Sequence, residues 1–402
     1  MPSAYGRESQ RATHLSQVLG ILRERRKVTR PDLAEITGLS RTAIGTLVDE
    51  LVRLNLVGTV GMEESSGGRP AAMLEFHPNA ALALGADFVD NKWQLVAINL
   101  DAELVDHAEL PVTDTSPSAV VNALKQAVEE FTQRLGQQSI LPAIGVGISG
   151  QIDVRTGNVR SAHEYGWKDV PIKLLIEEAL GIEALIANRS KVGALAELWH
   201  SRDQDKDLIY IFIGAEVVAG IAHAGELYMG SSSNAGELGH VTVLPDGPLC
   251  PCGNRGCLQE LVSAPAIERL VRTRLRENIS AGGGRKPEEL LEPISVETVF
   301  KAAEAGDPLA RQVVDEVAGY LGIAVANLVN LFNPELIILG GPVGHSGHVL
   351  VEPLQREVSR RATPYSLGMV SIASSELGAL AGALGTAVMV LQQAARLLFA
   401  KQ

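Results

Sequence analysis

Cys250-Pro-Cys252-Gly-Asn-Arg-Gly-Cys257, preceded by Ala235-Gly-Glu-Leu-Gly-His240, holds every cysteine of the chain within eight positions and sets a histidine ten residues upstream. Three soft thiolates and one imidazole are the donor set of a closed tetrahedral zinc, and Gly253 and Gly256 let so short a loop wrap around one ion. Three cysteines cannot all pair as disulfides, and residues 1–10 lack the basic-then-apolar order of a secretory signal, so a metal is the better reading. Four protein ligands, His240, Cys250, Cys252 and Cys257, leave no position for a reacting water. The expected role of the single zinc ion is therefore structural.

Outward from this loop, 402 residues with 46% hydrophobic content suggest two or three domains and a sizeable core. The most apolar stretch, residues 319–341, is interrupted by Asn327, Asn330, Asn333 and Pro334, so no membrane span and a cytoplasmic location are expected. A net charge of −12 argues against nucleic-acid binding over the whole surface. The charge is uneven. Residues 1–77 carry ten Lys plus Arg against nine Asp plus Glu, so any binding to a polyanion falls to that segment.

That segment reads as a winged helix-turn-helix. Leu15, Val18, Leu19 and Leu22 mark an amphipathic first helix ending near Arg25-Arg26-Lys27. Thr29 opens a second helix as its N-cap, with Pro31 and Asp32 in the first turn and Leu33 and Ile36 facing inward. Thr37-Gly38-Leu39 makes a tight turn, and Ser40 caps a third helix whose apolar stripe is Ile44, Leu47, Val48 and Leu51. Residues 56–60 and 72–76 read as strands flanking a wing. Ser40, Arg41, Thr42 and Thr46 are then placed to meet the major groove, and Arg69 in Gly67-Gly68-Arg69-Pro70 to enter the minor groove. Gly45 interrupts the third helix, where it is about 1 kcal/mol less favourable than alanine.

From Ala80 onward strands alternate with helices. Residues 81–87, 92–99, 104–110 and 143–148 read as strands, with a helix over 118–135. A second set begins with strands at 207–213 and 218–224 and includes another at 336–339. Such a repeat predicts two α/β halves facing a cleft.

The paired motifs, Ala235-Gly-Glu-Leu-Gly-His240 and Cys250-x-Cys252-Gly-x-x-Gly-Cys257-x-x-Glu260, resemble the signature of the ROK family of repressors, uncharacterised reading frames and sugar kinases. The likeness extends to residues 144–153, 338–341 and 378–385. It implies an α/β, two-lobed actin-like or hexokinase-like fold over residues 78–402. One lobe is expected at about 78–187 plus the C-terminal helix, and the other at about 188–380, behind a DNA-binding domain at 1–77.

Against the family's kinase motifs the chain departs at three places. Asp87-Phe-Val-Asp-Asn91 puts Val89 and Asn91 where the first phosphate turn has glycine and threonine. Gly214-Ala215-Glu216 replaces the hydroxyl of the second turn by a methyl and adds a carboxylate. Asn188-Arg189 replaces the Asn-Asp pair whose aspartate is the catalytic base, and a guanidinium cannot accept that proton. No kinase activity is expected, a sugar kinase being the remote alternative.

What the resemblance leaves is a sensor. Asn188, Glu237, His240 and Glu260 match the family's sugar-contacting positions, with bracing of the zinc loop as the plainer role for them. Arg189 and His163 depart from the family in ways that add donors or positive charge, which points to a sugar or an anionic, sugar-derived effector. The reading is a transcriptional regulator, a repressor by its family, acting on double-stranded DNA. A palindromic operator calls for a homodimer or a dimer of dimers. The alternative is a regulator controlled by a protein partner, or one without a ligand.

Overall fold

The computed structural model describes residues 4–62, 71–201, 206–281, 294–345 and 348–399. Inter-residue contacts divide it into two compact units. The first comprises Met1–Gly147, Pro171–Ile186 and Thr386–Gln402, and the second Ile148–Val170 and Ala187–Gly385.

The first unit begins with α1 (Ala4–Arg25), β1 (Lys27–Thr29), α2 (Arg30–Thr37), α3 (Arg41–Arg53), β2 (Val57–Met62) and β3 (Ala72–Phe76). Thr29 is the N-cap of α2 in a full capping box with Asp32, and Ser40 caps α3 through the Ala43 amide at 3.2 Å. Leu15, Val18, Leu22, Leu33, Ile44, Leu47, Val48 and Leu51 are all buried, so the apolar stripes meet in one small core. Ile36 departs from its expected inward position and is 40% exposed, because α2 has only eight residues and turns just Leu33 fully into that core. Strand β1 was not expected from the sequence. It pairs antiparallel with β3, Val28 opposite Leu74, and completes a sheet of order β1-β3-β2.

The chain continues with β4 (Leu82–Val89), β5 (Lys92–Asn99), β6 (Leu104–Pro111) and β7 (Ile140–Ile148). Three short strands follow, β8 (Gln151–Asp153), β9 (Asn158–Ala162) and β10 (Trp167–Val170), and then β11 (Glu183–Asn188). The larger sheet has the order β11-β7-β4-β5-β6. Strand β4 is buried along its whole length, and Trp93 of β5 donates to the Val120 carbonyl at 2.9 Å, fixing the helix Pro117–Leu135 on the sheet.

The second unit is built on β12 (Leu208–Ile213), β13 (Val217–His223), β14 (Glu226–Leu227), β15 (Leu336–Gly340) and β16 (Ser371–Ser374), in the order β14-β13-β12-β15-β16. Strands β12 to β14 form an antiparallel meander, while β15 and β16 join in parallel through helical crossovers. The two five-stranded sheets therefore repeat one strand order: a meander, then two later strands on its first edge. The helix Pro308–Phe332 is long and apolar enough to cross a membrane by composition. Its Val313, Val317, Leu321 and Val325 are instead buried in the same hydrophobic core as Ile211 and Leu339.

The compact units divide the chain differently from the expected lobes. Residues 148–170 group with the second unit, since β8, β9 and β10 form a three-stranded sheet of their own, and the amino-terminal elements group with the first.

Candidate functional site

The His240, Cys250, Cys252 and Cys257 group grows out of a short turn and a tight loop. Gly236 accepts from the Ala219 amide at 2.7 Å, seating residues 236–240 on β13, and Leu238 is buried behind them. Downstream, Val243 and Leu244 both donate to the Gly256 carbonyl, at 2.9 and 3.2 Å, and Cys250 donates to Asn254 at 2.8 Å. Residues 242 and 257 are thereby paired. One ligand atom from each of His240, Cys250, Cys252 and Cys257 lies within 4.8 Å of all the others, a group that could hold a metal ion. His240 Nδ1 is 3.6 Å from the Cys250 sulfur, and the Cys252 and Cys257 sulfurs are 3.7 Å apart. Burial and the neighbouring thiols push the Cys257 thiol up to about 12, while the Asn254 amide holds Cys252 below its ordinary range. A cation among them would reverse that penalty and draw off the protons.

Next to this four-donor group, and wholly within the second unit, is a cavity of about 360 Å³. Of the six expected effector residues, Asn188, Glu237 and His240 line it. Because Nδ1 of His240 faces the cysteines, its other ring nitrogen is the one available to the cavity. Asn188 is already committed: its Oδ1 accepts from the Ser190 amide and hydroxyl at 3.0 and 2.8 Å, and its Nδ2 donates to Gly150 at 2.8 Å. It caps the helix Arg189–His200 and ties it to the loop after β7.

Two expected effector residues lie off the lining. Arg189 is only 6% exposed, its guanidinium 5.1 Å over the Phe212 ring, and it is not among the lining residues, although its charge is felt by Glu216. Glu260 pairs with Arg269 at 3.2 Å, and its neighbour Gln259 lines the cavity instead. The side chain of His163 lies outside the described residues, although Ser161 and Glu164 from the same segment are in the wall.

The remaining polar lining includes Gln151 and Glu216, which sequence reading did not place there. Burial, reinforced by the charges of Glu164 and Glu237 against that of Arg189, pushes the Glu216 carboxyl up to about 7. Glu237 is also raised by burial, which His240 and Lys191 oppose. Lys191 donates to the Ser233 carbonyl and is not part of the wall.

In the first unit, Ser40, Arg41, Thr42 and Thr46 are all exposed at the start of α3. Ser40 spends its hydroxyl on the cap, and Thr46 donates to the Thr42 carbonyl at 3.1 Å, which leaves Arg41 the longest free reach on that face. Gly45 has nothing within 4 Å of where a Cβ would stand, so no neighbouring described residue requires it. Arg69 lies outside the described residues.

The paired sheets place the chain in the actin-like, hexokinase-like fold class, with helix-turn-helix elements ahead of them. The ROK family model matches residues 83–393, and the chain belongs to that family. A xylose repressor of Caldicellulosiruptor bescii is 27% identical over 379 residues, 93% of this chain and 94% of the repressor. A glucokinase of Halalkalibacterium halodurans is 32% identical over 321 residues, 77% of this chain and 95% of the kinase. Among solved structures, a ROK family transcriptional regulator, homologous to the MLC protein of E. coli, is 27% identical with a TM-score of 0.83. That match covers 96% of this chain and 97% of the regulator.

Proposed function

We propose that this chain is a cytoplasmic, DNA-binding transcriptional repressor whose second unit senses a sugar-like effector and shifts its affinity for an operator. One observation carries the reading. The match to the repressor and to the regulator runs through nearly the whole chain, including the segment where a capped helix, a turn and a second capped helix present Arg41, Thr42 and Thr46 together. That face suits the major groove, and the wing with Arg69 the adjacent minor groove. One such module reads a short site, so the active form is a homodimer, or a pair of dimers, on a palindrome.

The four-donor group holds one structural zinc. Metal bonds of about 2.3 Å to sulfur and about 2.0–2.1 Å to nitrogen give tetrahedral edges of about 3.8 Å between sulfurs and about 3.6 Å from sulfur to nitrogen. The separations of 3.7 and 3.6 Å fit both. Zinc on Nδ1 fixes the His240 ring so that its other nitrogen keeps a set direction beside the cavity.

Three features support the absence of kinase activity. Val89 pairs with Lys92 across the two residues Asp90 and Asn91, both with positive φ, so the first phosphate turn is a tight hairpin of the I′ type. Glu216 sets a carboxyl in the second turn, and Arg189 stands where a base is required.

Genome-wide mapping of bound DNA, followed by titration of the recovered duplexes at several salt concentrations, tests the regulatory reading. Enrichment of a short palindrome, with affinity falling as salt rises, is the expected result. Absence of any enriched site would end it. For the enzyme question, ADP release with magnesium, ATP and a hexose panel should stay at the level of the protein-free control.

A further inference from the structure

The residues around the cavity show which ligand chemistry it accepts. Glu164, Glu216 and Glu237 contribute three carboxyl groups to its wall, and among the described residues no lysine or arginine lines it. Two basic side chains whose charges act on these carboxyls make their own contacts outside the lining, Arg189 over the Phe212 ring and Lys191 to the Ser233 carbonyl. An ionised carboxylate only accepts hydrogen bonds, and a phosphate or sugar acid is itself acceptor-rich and negative. Such a ligand would meet like charge and, among the described lining residues, find no lysine or arginine to pair with. Hydroxyl groups and an ammonium are donors, and they suit this wall.

Given that this cavity is the effector site proposed above, we infer that its effector is a polyhydroxylated cation, for which a protonated amino sugar is the model. The sign is the opposite of the one the sequence suggested, because the substitution that seemed to add positive charge, Arg189, is not in the wall. Glu216 is the residue that sets the preference. It occupies the turn that would cradle phosphate in a kinase, and its neighbours Glu164 and Glu237 repel its ionised form. Held up to about 7, its carboxyl is part-protonated at neutral pH, and an arriving ammonium would favour ionisation and release the proton. Glu164 is exposed at the same wall and adds to the attraction without being buried.

Calorimetry on the full-length, zinc-loaded protein at pH 7.0 tests this with 2-amino-2-deoxy hexoses of the gluco, galacto and manno series. Each is compared with its neutral parent, its N-acetyl derivative and its 6-phosphate. In any series that binds, the ammonium form should bind at least about tenfold more tightly than the neutral parent, a free-energy difference of about 1.4 kcal/mol. The phosphate should bind most weakly. Glu216→Gln should reduce the preference to less than about threefold, with Glu164→Gln, at an exposed position, giving a smaller loss in the same direction and an unchanged melting temperature showing that the variant is folded. A neutral parent or a phosphate that binds as tightly as the ammonium form would overturn the inference while leaving a sensing pocket in place. If no member of any series binds, both the inference and the sensing role of the cavity fall, while DNA binding, measured separately, stands or falls by itself.

Discussion

Replacing Gly256 by alanine should cost far more than the same change at Gly253, three residues earlier in the same loop. At Gly256 the backbone has φ +65°, and a Cβ would stand 1.5 Å from the Leu244 carbonyl oxygen. That oxygen would have to retreat by about 1.5 Å to reach the closest tolerable approach of 3.0 Å. The retreat disrupts the pair of bonds from Val243 and Leu244 to the Gly256 carbonyl, worth about 1 kcal/mol each net. Left-handed backbone adds about 1–2 kcal/mol for a residue with a Cβ. The total is about 3–4 kcal/mol, delivered next to Cys257. Gly253 shares the positive φ, at +95°, but nothing lies within 4 Å of its Cβ position, so only the conformational part, about 1–2 kcal/mol, applies there. Because folding of the loop and metal binding are linked, the difference of about 2 kcal/mol should appear as about thirtyfold weaker zinc binding in Gly256→Ala than in Gly253→Ala. Competition against a chromophoric chelator reads this directly, with zinc per chain confirmed by elemental analysis. Equal zinc affinity in the two variants would refute the account of how the loop is built.

Glu197 is 4% exposed, bonded by the Ser375 hydroxyl, and raised by burial from 4.5 to about 7, so the native state favours its protonated form. Its contribution of about 3 kcal/mol is complete below the unfolded pKa and is lost as pH rises through about 7. Glu197→Gln should therefore flatten the fall in denaturant stability between pH 5 and 8, and an unchanged slope would count against it. Gly45→Ala meets no neighbour and should raise stability by about 1 kcal/mol, read by denaturant unfolding; a loss of stability would refute this account of the position. Arg41→Ala should weaken operator binding and lessen its salt dependence without lowering the melting temperature, whereas unchanged binding would remove α3 from the interface.

Much of this molecule could be read from its sequence wherever one short-range pattern decided the outcome. Thr29 and Ser40 are caps because their side chains reach amides three residues on, and the stripe of α3 is buried because helical spacing puts Ile44, Leu47, Val48 and Leu51 on one side. The cysteine spacing likewise gathers its four donors. Elements that exist only through partners were invisible. Strand β1 is three residues in a basic run, made a strand by β3, and β8 to β10 hold one another in a sheet too short to show a period. Side-chain direction was the other gap. Glu260 matched the family motif, but Arg269 draws it aside and Gln259 takes its place on the wall; Arg189 prefers the face of Phe212. Neither partner is near enough in sequence to announce itself. Glu216 was legible as a charge in a phosphate turn, and only the cavity gave that charge a ligand to select.

The first unit is completed by a segment nearly 400 residues along the chain. Residues 386–402 belong to it, the helix Ala394–Phe399 packs on α1, and Arg396 bonds Glu183 at 2.8 Å. On the ribosome, therefore, early-made elements wait for much later ones: a nascent chain that has emerged as far as Gly385 holds all of the second unit but a first unit still lacking the helix Ala394–Phe399. Stop codons introduced between residues 386 and 394 should thus produce proteins whose weakness appears around α1, more than 350 residues earlier.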